Sequence, residues 1–442
     1  MTQFRVLPMR YGDAYLLRGP RGGYLVDGGG PEEGLAAQLA DRRTRGLRAA
    51  VCSLPTPGRL CGLLELMEVQ YPVAEYWLPE GLASLPAAAA RFDGDWAGWR
   101  RQILSTEPDT AEPAALAERE PCFGTVRGAL REGWPGDSRL RGAAMLVALA
   151  LTGCLDAALA VHMAHLASDM GNETGTIRFL GRALAELAGR MRPVPDASAT
   201  ARAVIRLLEV AGWRMLSGGD PADLVMVCGR LLLALSARPG QSESGPLLRN
   251  LALAAMAAAQ LDRVNARVRF FRPLPWLEGR LVPRHPMKCL NGTEVPPLAG
   301  LPDAASPAEM VRRVRRMADP DSALVFVYGE AGCGALLCSG TRLMFLDRGD
   351  SIRLDRPSVV TAPRCGSATA ERAYPFIVSD HPGRNVWVRG FLPPTRKVAS
   401  SFEAQQTKIC LNNCRTLAMQ EVLLVFEGGH WNREAGGDCV YG

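Results

Sequence analysis

The segment AVCSLPTPGRLCGLLELM, Ala50–Met67, decides how the rest of the chain is read. It begins as an apolar run of strand type, turns through the small residues of SLPTPG, and continues with apolar positions at helical spacing. A strand that runs through a small-residue turn into an amphipathic helix is the frame of a common metal-binding loop. This one holds neither histidine nor aspartate. Frame and contents point in opposite directions, so the flanking sequence has to decide between them.

Upstream, MTQFRVLPMRYGD opens as a strand, and AYLLRG and GYLVDGG flank the turn PRGG as a hairpin. GLAAQLADRR reads as a helix, LRAAVCSL as a buried strand, LCGLLELMEVQ as a helix and VAEYWLPE as another strand. Residues 1–95 therefore alternate as α/β. From Trp96 to Pro273 the pattern changes to long alanine- and leucine-rich helices, broken by the turn and cap signals WPGDS, GNETG, RPVPDAS, SGGDP and ARPGQSESGP. After Ser306 the α/β pattern returns. SPAE is a capping box with Pro307 at the first helical position, and ALVFVYGEAGCGALLCSG is a strand, a glycine-rich turn and a second strand. That turn lacks the lysine and hydroxyl of a phosphate-binding loop. RLMFLD, SVVTAP and NVWVRGF read as further strands. The expected division is 1–95 and 301–392 as two halves of one α/β domain, 96–300 as a helical insertion with its return segment, and 393–442 as a cysteine-containing tail.

With 48% apolar and 22% charged residues over 442 positions, the composition is that of a folded water-soluble protein. The net charge of +6, from 51 basic and 45 acidic residues, is a mild excess, and its arginines are scattered. Nucleic acid is not expected as a partner on this ground. In MVRRVRRM, Met310, Val314 and Met317 share a helical face that Arg312, Arg313, Arg315 and Arg316 mostly avoid, which describes a solvated helix. Twelve irregularly spaced cysteines and the lack of a charged-then-apolar leading segment fit free thiols in a reducing cytoplasm. The most apolar tract, AAMLVALALTGCLDAALAV, carries Gly153 and Asp156 mid-span and reads as buried helix; no membrane segment is expected.

YGDAYLLRGPRGGYLVDGGG, Tyr11–Gly30, resembles the first hairpin of the metallo-β-lactamase fold, in the branch of competence-protein-like hydrolase domains and hydrolase-like proteins of bacterial defence operons. Asp27 closes its strand where that family has an aspartate. In the family the next strand ends in T-H-x-H-x-D-H-x-x-G, which supplies most ligands of a two-zinc site. SLPTPGRLCG aligns to it without a gap: Leu54 and Thr56 stand at the first two histidines, Gly58 at the aspartate and Arg59 at the last histidine, while Ser53 and Gly62 keep the frame. The family's LLTGD, whose aspartate bridges the metals, is LLCSGT here, with Thr341 in that position. Its PHHGS is PRCGS here, with Arg364 and Cys365 at the two histidines. NARVRFFRP, CLNGTEV and NVWVRG are similar to stretches of the same branch.

The resemblance covers roughly residues 1–95 and 301–392 and implies an αββα sandwich, here interrupted by a large all-α insertion. A zinc hydrolase needs imidazole and carboxylate ligands, open coordination positions and a water whose pKa the metal lowers. Leucine, threonine and glycine supply none of these, and arginine repels a divalent ion. The resemblance and its losses together imply a pseudoenzyme without cofactor: a cytoplasmic regulatory or scaffold subunit that binds another protein, encoded by a neighbouring gene, in a bacterial antiviral defence or conflict system. Two alternatives stay open, an active metal-dependent hydrolase or nuclease with a rebuilt site, and a module that binds an anion or nucleotide.

Further residues are candidates on their chemistry. Arg59 and Arg364 are fixed cations expected at the old metal position, where they pair with Asp13 and Asp27 or grip an anion. Cys410, Cys414, His430 and Cys439 offer soft ligands for a structural zinc. His162, His165 and Asp169 share one helical face by spacing. Cys365 beside Arg364 has the setting of a thiol with a lowered pKa.

Overall fold

In the computed structural model the chain is a mixed α/β protein. The structure describes residues 1–31, 33–91, 140, 142–144, 146–147, 221–236, 244–261, 263–277, 285–296, 307–344, 346, 350–390, 397–411 and 420–438. His162, His165 and Asp169, and the tail residues Cys414 and Cys439, lie outside them. The chain divides into two compact units, one of Met1–Glu80, Arg263–Pro297 and Arg316–Gly442, the other of Gly81–Asp262 and Leu298–Arg315.

The first unit carries the sheets. In chain order its strands begin with β1 (Thr2–Val6), β2 (Tyr15–Gly19), β3 (Gly22–Val26), β4 (Ala49–Val51), β5 (Glu75–Pro79), β6 (Arg267–Pro273), β7 (Met287–Cys289) and β8 (Gly292–Val295). They continue with β9 (Phe326–Glu330), β10 (Cys333–Leu337), β11 (Ile352–Leu354), β12 (Ser358–Thr361) and β13 (Ile377–Ser379). The last are β14 (Val386–Arg389), β15 (Lys408–Cys410), β16 (Val422–Glu427), β17 (His430–Ala435) and β18 (Gly437–Asp438). A nine-stranded sheet has the order β17-β16-β1-β2-β3-β4-β5-β6-β8, a seven-stranded sheet the order β18-β15-β14-β12-β10-β9-β7, and β11 and β13 form a parallel pair.

The strands form where alternation and turn chemistry ask for them. On β1 to β3, Phe4, Val6, Tyr15, Leu17, Tyr24 and Val26 point to one side. There they share a core with Phe326, Tyr328, Ala335, Leu337, Val359 and Val388 of the seven-stranded sheet, so the two sheets face each other across one apolar layer. The turn between β9 and β10 places Ala331 and Gly332 at φ 51° and 80°, as a tight hairpin requires. β3, β4 and β5 run parallel, joined by α1 (Leu35–Asp41) and α2 (Pro57–Glu68), which is the strand–helix alternation of the sequence. Apolar β4, Ala49–Val51, is buried throughout, as expected of a central parallel strand.

α1 begins at Gly34, which has no side chain to cap it. Its first free amides, those of Leu35 and Ala36, are taken instead by the Glu65 carboxylate of α2 at 3.1 and 3.0 Å, a negative charge at a helix N-terminus. β1 pairs antiparallel with β16, and Glu421 just before β16 takes both Arg5 at 2.7 Å and Arg42 at 3.0 Å.

The second unit is helical where it is described, with α3 (Gly81–Arg91), α4 (Pro221–Ser236), α5 (Ser244–Leu261) and most of α6 (Pro307–Met317). Leu251 to Ala259 of α5 are buried on every face, which makes it an interior helix. On α6, Val314 and Met317 are buried and Arg312, Arg315 and Arg316 exposed, the division that the spacing of MVRRVRRM anticipates. No described helix is long and apolar enough to cross a membrane.

The boundaries differ from the expected ones in three places. Arg263–Pro297, inside the span expected as insertion and return, supplies β6 to β8 of the sheets, whereas α3 belongs with the helices. The expected tail is not separate: β15 and β18 extend the seven-stranded sheet, and β16 and β17 extend the nine-stranded one. Arg342, Leu343 and Met344, expected as part of a strand, are in none, and Leu343 has φ 54°.

α2 approaches the strands more closely than any side chain allows. A Cβ on Gly62 would lie 1.9 Å from the Gly28 carbonyl oxygen, and one on Gly12 would lie 1.7 Å from that of Gly58. Gly62→Ala is therefore expected to destabilise the sheet unit by about 3 kcal/mol, since rigid backbone has to move. Gly34→Ala, at φ 63° with open space around it, should cost only about 1 kcal/mol. Urea denaturation of the two variants measures the difference.

Candidate functional site

The loops that follow β1, β3, β4, β10 and β12 converge at one end of the sheets, and the backbone holds them there first. Asp13 N–H donates to the Gly58 carbonyl at 3.0 Å, Gly29 N–H to Asp13 at 2.9 Å and Gly28 N–H to Arg59 at 2.7 Å. Leu324 N–H reaches Ser53 at 2.8 Å, and Arg364 N–H reaches Thr341 at 3.0 Å. Asp27 is held at φ 61°, a left-handed conformation that aspartate tolerates better than most residues.

At the centre lies the Arg59 guanidinium, carried by the first turn of α2. Nη2 donates to Asp13 Oδ2 at 2.5 Å, and Nη1 to Asp27 Oδ2 at 2.5 Å. Nη1 also reaches Ser339 Oγ at 2.9 Å and Ser53 Oγ at 3.1 Å. Asp27 is held from a second side, by Ser53 N–H at 2.8 Å and Ser53 Oγ at 2.7 Å. Cys365 Sγ lies 3.3 Å from Asp13 Oδ2 and 3.8 Å from Arg59 Nη2. The three charged side chains are buried, at 9%, 2% and 1% exposure for Arg59, Asp13 and Asp27.

Electrostatics follow from that burial. Removal from water works against the Arg59 charge, but Asp13 and Asp27 outweigh it and hold the guanidinium above its ordinary pKa. Burial raises the Asp27 carboxyl, against the pull of Arg59 and of the Ser53 hydrogen bonds. Burial and then the Asp13 charge push the Cys365 thiol up, against Arg59 and Arg364. This corrects the lowered thiol pKa expected from the neighbouring arginine. The sulfur stays protonated and is a poor nucleophile. Tyr15, wholly buried beside the cluster, is raised as well, by burial and then by Asp13 and Cys365.

The remaining sequence candidates are distributed around this centre. Leu54 is buried, and Thr56 begins α2 with its carbonyl accepting from Arg59 and Leu60 N–H. Thr341 is buried, and its hydroxyl accepts the Leu343 N–H at 2.9 Å. Arg364 and Cys365 lie in a left-handed turn, at φ 47° and 54°, completed by Gly366 at 77°. Cys410 is buried in β15 of one sheet and His430 is exposed on β17 of the other. Among the described residues no group of three or more His, Cys, Asp or Glu side chains is arranged to hold a metal ion. Ser339 and Tyr15 were not singled out in the sequence. Ser339 sits two residues before Thr341, the position to which the family frame draws attention, and nothing in its own type or spacing marks it. No protein-family model, curated protein or solved structure matches the chain.

Chemically, the cluster is a permanent cation satisfied by two carboxylates, two hydroxyls and a protonated sulfur. Removing the cation while leaving both carboxylates buried is the costly change. Arg59→Ala is expected to lose about 3–5 kcal/mol. One carboxyl of that variant must take up a proton to remain inside, so its folded-state pKa rises above the unfolded value. The sign follows: the loss is smallest near the free carboxyl value of about 4 and is larger at about pH 7. Asp27→Asn leaves a neutral Arg59–Asp13 pair and tolerates φ 61°, and should cost less than half as much. Urea denaturation of the variants at both pH values measures size and sign.

Proposed function

We propose that the chain is a metallo-β-lactamase-like αββα sandwich interrupted by a large all-α insertion, in which Arg59 stands in place of the metal centre. Its function on this reading is that of a protein-binding regulatory or scaffold subunit, not a hydrolase. The observation that carries the proposal is the buried Asp13–Arg59–Asp27 triad, at the meeting point of the loops that resemble the family's ligand loops. Two facing sheets whose strand ends converge there support the fold.

The chemistry supports the loss of hydrolysis. A zinc hydrolase holds its ion with imidazole and carboxylate groups and leaves a position open for water. Here both carboxylates are committed to a guanidinium that cannot be deprotonated, and the nearest thiol is held protonated. The burial of Arg59 favours an internal ion pair over a site that grips a free anion, because the acceptors are already in place. A bacterial antiviral defence or conflict system, and a partner encoded by a neighbouring gene, rest on the family resemblance alone. The inserted segment, residues 96–262, is the surface proposed to meet that partner.

Metal content of the purified chain tests the central statement. Elemental analysis is expected to find no stoichiometric zinc or manganese, and a content of about two ions per chain, as in the dinuclear sites of active hydrolases, would overturn the proposal. Thermal stabilisation by phosphate or a nucleotide that disappears in Arg59→Ala would instead support the anion-binding alternative. Co-purification with the products of neighbouring genes is expected for the full chain and lost on deletion of residues 96–262, which spares β6. Undiminished capture by a soluble deletion variant would move the partner surface to the sheet unit.

A further inference from the structure

A second polar cluster lies at the opposite end of the sheets, around His285. This residue precedes β7, the three-residue edge strand of the seven-stranded sheet, and its side chain crosses to the nine-stranded sheet. The ring stands edge-on to Trp77 of β5, with centroids 5.0 Å apart, and edge-on to Tyr24 of β3 at 5.8 Å. His285 Nε2 is 3.3 Å from Glu75 Oε2 of β5. That carboxylate also accepts Trp77 Nε1 at 2.9 Å and Arg269 of β6 at 3.3 Å. Arg269 in turn grips Glu294 of β8 through Nε and Nη2 at 2.9 and 2.5 Å and lies over the Trp77 ring. Arg48, just before β4, adds a second guanidinium charge to the field at the ring. His285 Nδ1 is buried and has no hydrogen-bond partner among the described residues.

We propose that His285 is a proton-operated latch between the two sheets: as a neutral ring it fastens the entry of β7 to β5, and as a cation it releases β7. The neutral ring fits its surroundings. Nε2 faces the Glu75 carboxylate at 3.3 Å, the Trp77 and Tyr24 rings stand edge-wise against the imidazole, and Nδ1 has no partner among the described residues. A second proton turns Nδ1 into a donor with no acceptor beside it among the described residues, and adds a charge to a field that already holds Arg269 and Arg48. Glu75 favours the charge, but its carboxylate is shared with Trp77 and Arg269. Burial, with Arg269 and Arg48 behind it, outweighs Glu75 and lowers the histidine pKa.

The direction of the switch follows from that depression. A histidine whose folded-state pKa lies below its free value of about 6.5 leaves stability intact above that pH, and removes it as pH falls through the interval between the two values. What gives way first is local. Among the described residues β7 pairs with β9 alone, by three residue pairs from Met287 to Cys289, flanked by bonds from Gly329 N–H to Pro286 at 2.9 Å and from Leu290 N–H to Val325 at 2.8 Å. Met287 and Cys289 are its contribution to the layer between the sheets, so an open latch exposes the Cys289 thiol.

Labelling of the intact chain with 4,4′-dithiodipyridine, a disulfide reagent that works in acid, reads that exposure by peptide mass spectrometry. Cys289 labelling, relative to Cys52 at the end of β4, is expected to rise with a limiting slope of about tenfold per pH unit as pH falls from the free histidine value of about 6.5 to the lower folded-state value, and to level off below it, as one proton taken up requires. The Cys52 ratio cancels the pH dependence of the reagent. His285→Gln and His285→Phe are expected to abolish the acid-dependent rise. A constant ratio across about pH 8 to about pH 5, or a rise that persists in a folded variant, overturns the latch. The wild-type ratio decides the matter by itself if neither variant folds.

Discussion

One buried cation organises one end of the sheet unit. Arg59 projects from α2 of the nine-stranded sheet and touches Asp13, Asp27 and Ser53 on that sheet's loops, and Ser339 on a loop of the other. A guanidinium removed from water without partners would be intolerable, and its five N–H donors make it a group that several loops can share. The geometry is therefore mutual. The loops give the charge its acceptors, and the charge gives the loops a reason to stay together. Because arginine keeps its proton at any working pH, the arrangement holds a constant charge.

Much of this was legible, and the limits have physical causes. The strand–helix alternation of residues 1–80 is written in local pattern, with Val26, Val51 and Trp77 falling on strands and Leu60 and Leu63 on a helix. The pairing of Arg59 with Asp13 and Asp27 was also foreseeable, since a charge placed in a converging loop must find an opposite charge. Two features were not. The helical texture before residue 273 hides β6, because RVRFF is short and sits directly after an alanine-rich helix, so neither neighbour marks its start. The cysteine-containing tail reads as an appendage because its pairing is remote: β16 belongs beside β1, and no local signal records a partner at the other end of the chain. The pKa of Cys365 was misjudged for a related reason. The arginine beside it in sequence is outweighed by burial and by Asp13, which only the fold brings near.

The glycines show what the charge cluster needs from the backbone. Gly12 against Gly58, and Gly28 against Gly62, let main chains touch where side chains would hold them apart. Only with α2 drawn in this far can the Arg59 side chain be enclosed. Gly390 plays a similar part from the other sheet, since a Cβ there would lie 2.1 Å from an Asp13 carboxylate oxygen and 2.6 Å from the Tyr15 hydroxyl. Close approach and burial of charge are thus one constraint stated twice, first by residues that have no side chain and then by one that has a long one.

The pairing of β1 with β16 sets a timetable for the molecule. Arg5 and Glu421, which meet across this seam, are 416 residues apart in sequence. The free energy of closing so long a loop grows only as the logarithm of its length, so the finished sheet scarcely registers the distance. Biosynthesis does register it. At roughly 5–20 residues per second, β1 leaves the ribosome tens of seconds before its partner exists, with β2 on one side and bare hydrogen-bonding groups on the other. Gln3 and Arg5 alternate with the apolar Phe4 and Val6 along that waiting edge, and a charged, half-polar strand is a poor template for a neighbouring nascent chain. The residue that later closes the seam also keeps it solitary until then.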